Sequence, residues 1–152
     1  MPQSEELMEL KRKKRRGVTW SRNERARDYN STLAVKTLNP GESTGYNRSG
    51  MVNKETPIAI VSIGYADGLM RMAGNGNYHM LVNGVSCPTI GNVCMDVCML
   101  DISECETAKV GDEVIVFSKD APIEALAKAC NTISYEIISR IASRVKRVYT
   151  YQ

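Results

Sequence analysis

The sequence predicts an all-β fold, a small barrel or sandwich with one or two short helices near its C-terminal end. Three observations lead there. From Ser31 onward, short runs rich in Val, Ile and Thr alternate with Gly, Pro and Asn turns. Asn83-Gly84 joins two such runs, and this dipeptide favours the type I′ hairpin turn because both central residues need positive φ. Only Pro122–Cys130 carries clear helical spacing, through Ile123, Leu126, Ala127 and Cys130.

Taken in order, Thr32–Thr37 reads as a first strand, and Asn39-Pro40-Gly41-Glu42 as a turn, since proline presets φ and glycine follows. Ser43–Arg48 is the expected returning strand. Pro57–Ile63 is the strongest strand, β-branched and nearly continuous in apolar character. Two glycines break it at Gly64–Gly68, and Arg71–Asn77 is a loop. Tyr78–Val82 and Val85–Ile90 flank the hairpin turn, and Val93–Asp101 is a further strand. Val110-Gly111-Asp112 turns into the strand Glu113–Phe117. Pro122 suits the first turn of the helix that follows. Thr132 or Ser134 is placed to cap a second short helix through Tyr135–Ala142, and Val145–Thr150 ends the chain as a strand.

Charge is unevenly placed. Residues 1–30 hold 9 Lys/Arg against 5 Asp/Glu, and residues 31–152 hold 11 against 12. The block Lys11-Arg12-Lys13-Lys14-Arg15-Arg16 repels itself and is expected to stay solvated. The expected organisation is therefore a basic, disordered tail over 1–30 and a domain over 31–152. No apolar run reaches the roughly 18–20 residues of a membrane span, and no apolar stretch follows the basic block as in a secretory signal. Five cysteines without a framework spacing then suggest reduced thiols in the cytoplasm. Cys94 and Cys98 share a face if they lie on one strand, but no second Cys/His pair with zinc-like spacing lies nearby. Buried thiols are the simpler reading, and no metal is expected. The one histidine, His79, falls inside a predicted strand and is read as structural or exposed.

Several phrases in the body, taken together, resemble the C-terminal domain of alanine racemases. They are Pro40-Gly41-Glu42-Ser43 with Gly45-Tyr46, Ile63-Gly64-Tyr65-Ala66-Asp67-Gly68, Val82-Asn83-Gly84, and Gly91-Asn92-Val93-Cys94-Met95-Asp96. Val110-Gly111-Asp112-Glu113-Val114, Thr132-Ile133-Ser134-Tyr135-Glu136 and Arg144-Val145-Lys146-Arg147-Val148-Tyr149 follow. They stand in the family's order and at about its spacing. The resemblance implies a small Greek-key β-barrel and an enzyme that uses pyridoxal 5′-phosphate to interconvert L- and D-alanine for peptidoglycan. Removing a proton from one face of Cα and returning one to the other calls for two acid–base groups, with the pyridoxal ring as electron sink.

In the family one group is the cofactor lysine of an N-terminal (β/α)8 barrel. The other is a tyrosine of the partner subunit's C-terminal domain, in a homodimer. The resemblance gives that catalytic role to Tyr65. It gives Met95 contact with the substrate carboxylate region, although Met95 also reads as a core residue of strand 93–101. It places Asp96 and Ile133 on the access path and gives Tyr135 a hydrogen bond to the cofactor phosphate. Two departures stand out. Ser134 replaces the family's commoner Asn, and Asn92 replaces an Arg that forms part of a charged wall. Asn92 and the ending RVKRVY also resemble a subgroup in which the racemase is fused to a peptidoglycan-precursor ligase.

The barrel with its lysine is not among these 152 residues. Lys36, Lys54, Lys109 and Lys128 sit in contexts unlike the cofactor site. The chain by itself is therefore expected to be inactive, and to take the cofactor only with a barrel domain. Three other readings stay open: a non-catalytic dimerisation module, a basic-tailed nucleic-acid-binding β-barrel, and the β-domain of pyridoxal-dependent basic amino-acid decarboxylases. The near-neutral body and scarce aromatics weigh against specific nucleic-acid binding.

Overall fold

The computed structural model describes residues 17–21 and 27–150. Its strands are β1 (Gly17–Ser21), β2 (Arg27–Leu38), β3 (Ser43–Thr44), β4 (Gly50–Met51), β5 (Thr56–Val61), β6 (His79–Val82), β7 (Val85–Pro88), β8 (Cys98–Asp101), β9 (Glu113–Phe117) and β10 (Lys146–Thr150). Two helices, α1 (Ile123–Ala129) and α2 (Ser134–Ser139), lie between β9 and β10.

β2 is long because it serves two neighbours. Its first part pairs with β9 and its second part with β5, with a register shift between Thr32 and Ala34 where the partner changes. A bulge of this kind bends the strand and raises its twist, which turns a sheet toward closure. From β9 the pairing continues to β6 and β7, and from β5 to β8. A single antiparallel bridge, Thr89 to Leu100, joins the end of β7 to β8. The pairings thus form a ring of six strands, β2-β9-β6-β7-β8-β5. The connections β5 to β6 and β8 to β9 join strands that are not neighbours, as a Greek-key order requires.

The inner faces of this ring form the main core. Val61, Met80, Val82, Leu100, Val114, Val116 and Phe117 are all essentially inaccessible to solvent. Leu126 and Ala127 of α1 and Ile137 of α2 pack against the same cluster, so the helices close one end of the ring. On β5 and β8 the alternate residues Ile58 and Met99 face outward. There they meet Leu38 and Val52 beneath the small β3–β4 hairpin. Truncating a side chain such as Phe117 to Ala would cost about 3–5 kcal/mol, because so tight a core relaxes only partly.

Several elements differ from the sequence expectation. The stretch 1–30, expected as a tail, contains β1 and the start of β2. β1 pairs antiparallel with β2 and parallel with β10, and among the described residues it is the only strand partner of β10. The block Lys11–Arg16 lies outside the described residues. The expected strand 43–48 is two residues long and gives way to a 3₁₀ turn at Tyr46–Arg48, where Asn47 has φ of 55°. The expected strand 93–101 is ordered as a strand only over Cys98–Asp101, and residues 91–97 form a loop. Cys94 and Cys98 therefore do not share a strand face. The hairpin turn is as expected, with φ of 50° at Asn83 and 78° at Gly84.

Candidate active site

β5 ends at Val61, and the chain turns at Gly64 into a 3₁₀ turn, Tyr65–Asp67. Local capping explains the turn. The Asp67 carboxylate curls back so that its Oδ2 accepts the Gly64 N–H at 2.9 Å. Gly68, at φ of 116°, then reverses the chain in a conformation that favours glycine. The turn is pinned against the loop before β8. The Tyr65 N–H donates to the Cys94 carbonyl at 2.9 Å, and the Ala66 N–H to the Met95 carbonyl at 3.0 Å. Tyr65 and Met95 are thus carried by two segments joined backbone to backbone. Their side chains point outward, 41% and 50% exposed.

A charged triplet ties these segments together. Asp67 is buried, and its Oδ1 accepts from Arg144 Nε at 2.8 Å. The other arm of the same guanidinium, Nη2, donates to Asp96 Oδ1 at 2.7 Å. The bond to Asp96 does most to push the Arg144 guanidinium further into its charged form; burial opposes it, and the bond and charge of Asp67 add smaller contributions in the same direction as Asp96. Beside Tyr65 lies an open depression lined by Leu69, Arg71, Met72 and Arg140.

Ile133 and Tyr135 lie at the start of α2. Asn131, at φ of 53°, ends the α1 segment, and the Thr132 hydroxyl donates to Glu136 Oε1 at 2.9 Å. The chain then enters α2 with Ile133 and Tyr135 exposed, at 64% and 81%. With Lys128 and Thr132 they line a second open depression between the helices. The other end of α2 abuts the Tyr65 turn. A Cβ on Gly68 would lie 2.4 Å from the Arg140 carbonyl oxygen, and the Ala142 N–H donates to the Asp67 carbonyl at 3.0 Å. Six helical residues span about 9 Å, so the two exposed patches lie on one rim of the ring.

Each singled-out residue can now be placed. Tyr65, Met95 and Asp96 come together, and Ile133 and Tyr135 form the neighbouring patch. The core reading of Met95 does not hold, because residue 95 lies in the loop and is half exposed. His79 is exposed on β6, away from these loops in the pairing order. Among the described residues, no group of three His, Cys, Asp or Glu side chains is arranged to hold a metal. Asn92 stands at the foot of the Met95 loop, where its Oδ1 accepts from Asn75 Nδ2 at 2.8 Å. Sequence reasoning did not single out Asp67 and Arg144, although both fall inside phrases it had marked.

The rim of this small β-ring thus presents two tyrosines, a methionine and an isoleucine outward to solvent. The family model described as "Alanine racemase, C-terminal domain" matches residues 29–149, and the chain belongs to that family. It is 39% identical over 121 residues to "Alanine racemase 1" of Caldanaerobacter subterraneus, covering 77% of this chain and 31% of that protein. To "Alanine racemase 1" of Clostridium acetobutylicum it is 40% identical over 123 residues, covering 78% and 32%.

Among solved structures it resembles the biosynthetic alanine racemase of Pseudomonas aeruginosa, with a TM-score of 0.79, 33% identity, and 82% and 35% of the two chains covered. It also resembles the alanine racemase of Bartonella henselae with covalently bound pyridoxal phosphate, with a TM-score of 0.79, 29% identity, and 82% and 35% covered. The chain spans about a third of the length of the relatives it matches.

Proposed function

We propose that this chain acts as the C-terminal domain of a pyridoxal-phosphate-dependent alanine racemase, carrying one of the two acid–base groups that interconvert L- and D-alanine for peptidoglycan. The observation that supports it most directly is the family match over 29–149, joined to a rim that exposes Tyr65, Met95, Ile133 and Tyr135 together. The partner is a (β/α)8 barrel domain with the cofactor lysine, supplied from outside these 152 residues, in a homodimeric cytoplasmic enzyme. Among the described residues no helix is long and apolar enough to cross a membrane.

The residues fit the cofactor in one respect. The Tyr135 phenol is exposed and makes no hydrogen bond within the described residues, so it is free to donate to a phosphate oxygen. When bound, the cofactor supplies the electron sink for proton removal at Cα. Tyr65 holds or takes the proton at its phenol oxygen on one face of the substrate. Met95 packs against the substrate's carboxylate end, while Asp96 and Ile133 line the approach. A phenol titrates near pH 10 in water, so proton removal near neutrality needs a cationic neighbour; Arg71 and Arg140, which line the depression beside Tyr65, are the candidates.

A second reading gives the proton to Tyr46. Its loop packs on the other flank of the Met95 loop, where a Cβ on Gly45 would lie 3.0 Å from the Asn92 nitrogen and the Ser49 hydroxyl accepts the Asn92 N–H at 3.0 Å. Two tyrosine-bearing turns therefore flank one loop, and Tyr46 also falls in a phrase shared with the family.

The experiment is α-proton exchange of L- and D-alanine in D2O, followed by NMR, with the chain, a separately made barrel domain and pyridoxal phosphate. Exchange that needs both domains supports the proposal. Loss of exchange for one enantiomer in Tyr65→Phe assigns the base to Tyr65, and the same loss in Tyr46→Phe alone moves it there. Full exchange of both enantiomers in both variants would remove the acid–base role from this domain.

A further inference from the structure

We propose that Arg144 is a positioning residue of this rim, locking the Tyr65 turn and the Met95–Asp96 loop into one arrangement through its paired bonds to Asp67 and Asp96. Its contacts bring together residues 77 and 48 positions away in sequence. A backbone bond already ties this segment to the Tyr65 turn, the Ala142 N–H donating to the Asp67 carbonyl at 3.0 Å, and the arginine side chain carries the link on to Asp96. The guanidinium is planar and rigid, so fixing Nε on one carboxylate fixes the direction in which Nη2 points. The Asp67 side chain is fully buried, whereas those of Arg144 and Asp96 are 45% and 44% exposed. The arginine is therefore anchored inside and reaches outward. A bond to Asp96 alone, at the solvent edge, would contribute little. Held from the Asp67 side, the same bond sets where Asp96, and with it Met95, stands.

Asp67 is the second half of the device. One oxygen folds the 3₁₀ turn by accepting the Gly64 N–H, and the other holds Arg144. The carboxylate that shapes the Tyr65 turn is thus the one that orients the Met95 loop through the arginine. A lysine at 144 is a single point charge and can satisfy the buried carboxylate without reaching Asp96 in a fixed direction. Substrate geometry is sensitive to such placement, since an error of about 1 Å costs on the order of 100-fold in rate. The catalytic consequence rests on the function proposed above, but the structural claim does not.

The test uses the full chain labelled with 13C at methionine methyls and tyrosine rings. In Arg144→Gln the Met95 methyl and Tyr65 ring resonances should move, while the buried Met80 and Met99 methyls stay. In Arg144→Lys the Tyr65 signal should remain near its original position and that of Met95 should move. Asp96→Asn, a surface change that leaves the core intact, should move Met95 alone. Unmoved Met95 in Asp96→Asn would overturn the proposal even if the arginine variants fail to fold. Shifts of Met80 and Met99 as large as that of Met95 in Arg144→Gln would also overturn it, by making the arginine a general stabiliser.

With a barrel domain, Arg144→Gln should lower kcat about tenfold or more, with partial rescue by Arg144→Lys. Wild-type exchange unchanged in Arg144→Gln would remove the positioning role. Absence of exchange in the wild type would count against the function and leave the NMR result to decide this inference.

Discussion

A Cβ built on Gly64 would lie 2.3 Å from the carbonyl oxygen of Cys94. The backbone there is extended, with φ of −146°, so the glycine is required by the close approach of two loops and not by its dihedrals. Alanine at this position must part the Tyr65 turn from the Met95 loop and lengthen the two hydrogen bonds between them. The expected loss for Gly64→Ala is roughly 2–4 kcal/mol, the sum of overpacking and two weakened bonds. Gly41 is the control: its φ is +85° and nothing lies within 4 Å, so Gly41→Ala meets only backbone strain of about 1–2 kcal/mol. Urea unfolding of both variants measures the difference. A Gly64→Ala chain no less stable than Gly41→Ala would mean that the loops separate freely.

Much of this geometry was legible in the sequence, and the reasons for the misses are physical. Pro57–Ile63 and Glu113–Phe117 read as strands because both are buried and β-branched, and Asn83-Gly84 fixed its hairpin through two positive φ values. Residues 93–97 of the loop 91–97 read as strand because Val93, Cys94 and Val97 are apolar. What keeps it a loop is its backbone bonding to the Tyr65 turn, a long-range contact that periodicity cannot register. β1 was missed because the alternation of Val18, Thr19, Trp20 and Ser21 is short and follows directly on the basic block, and its partners β2 and β10 lie at opposite ends of the chain. Tyr65, Met95 and Tyr135 were singled out through phrases shared with a family. Arg144 and Asp67 were not, since a salt bridge between residues 77 apart leaves no local trace.

Asp112 links two turns and makes stability depend on acid. Its Oδ2 accepts from Asn83 Nδ2 and from the Lys109 N–H, each at 2.9 Å, joining the β6–β7 hairpin to the turn before β9. The Asn83 bond first, and the Lys109 N–H second, hold the carboxyl below its ordinary value. A carboxylate lowered in the folded state stabilises it above the unfolded value of about 3.9, and that contribution fades as pH falls through the folded value. Wild type should therefore exceed Asp112→Asn in stability at pH 7, and the gap should close in the acid range. Urea midpoints from pH 7 downward test this. A gap that is constant with pH would assign the effect to something other than the ionised carboxylate.

The five thiols should divide into one that reacts and four that do not. Cys87, Cys98, Cys105 and Cys130 are buried, and Cys94 is half-buried in the Met95 loop. Burial pushes Cys98 up to about 12 and Cys87 up to about 11, and it raises Cys130 as well. The thiolate is the nucleophile, so these three are protected twice, by access and by protonation. Ellman's reagent at pH 8 should show one fast thiol, absent in Cys94→Ser, with the others appearing in urea. Since a thiol raised in the folded state titrates first in the unfolded chain, stability should hold below about pH 8.5 and decline as pH rises toward the folded values. Several fast thiols without denaturant would show that the ring opens locally.

Thr32 stands where β2 exchanges β9 for β5, and its hydroxyl is buried with no hydrogen-bond partner among the described residues. The backbone at this residue is fully engaged: its N–H donates to the Asp112 carbonyl and its carbonyl accepts the Gly111 N–H, both at 2.9 Å. β-Branching suits the strand, so a valine keeps the shape and the propensity while removing an unsatisfied polar atom. Thr32→Val should therefore gain about 1 kcal/mol, and Thr32→Ser, which keeps the hydroxyl and loses the methyl, should lose a similar amount. Thermal unfolding of the pair decides it. A destabilised Thr32→Val would show that the hydroxyl is hydrogen-bonded in solution, and the bend in β2 would then owe part of its stability to that bond.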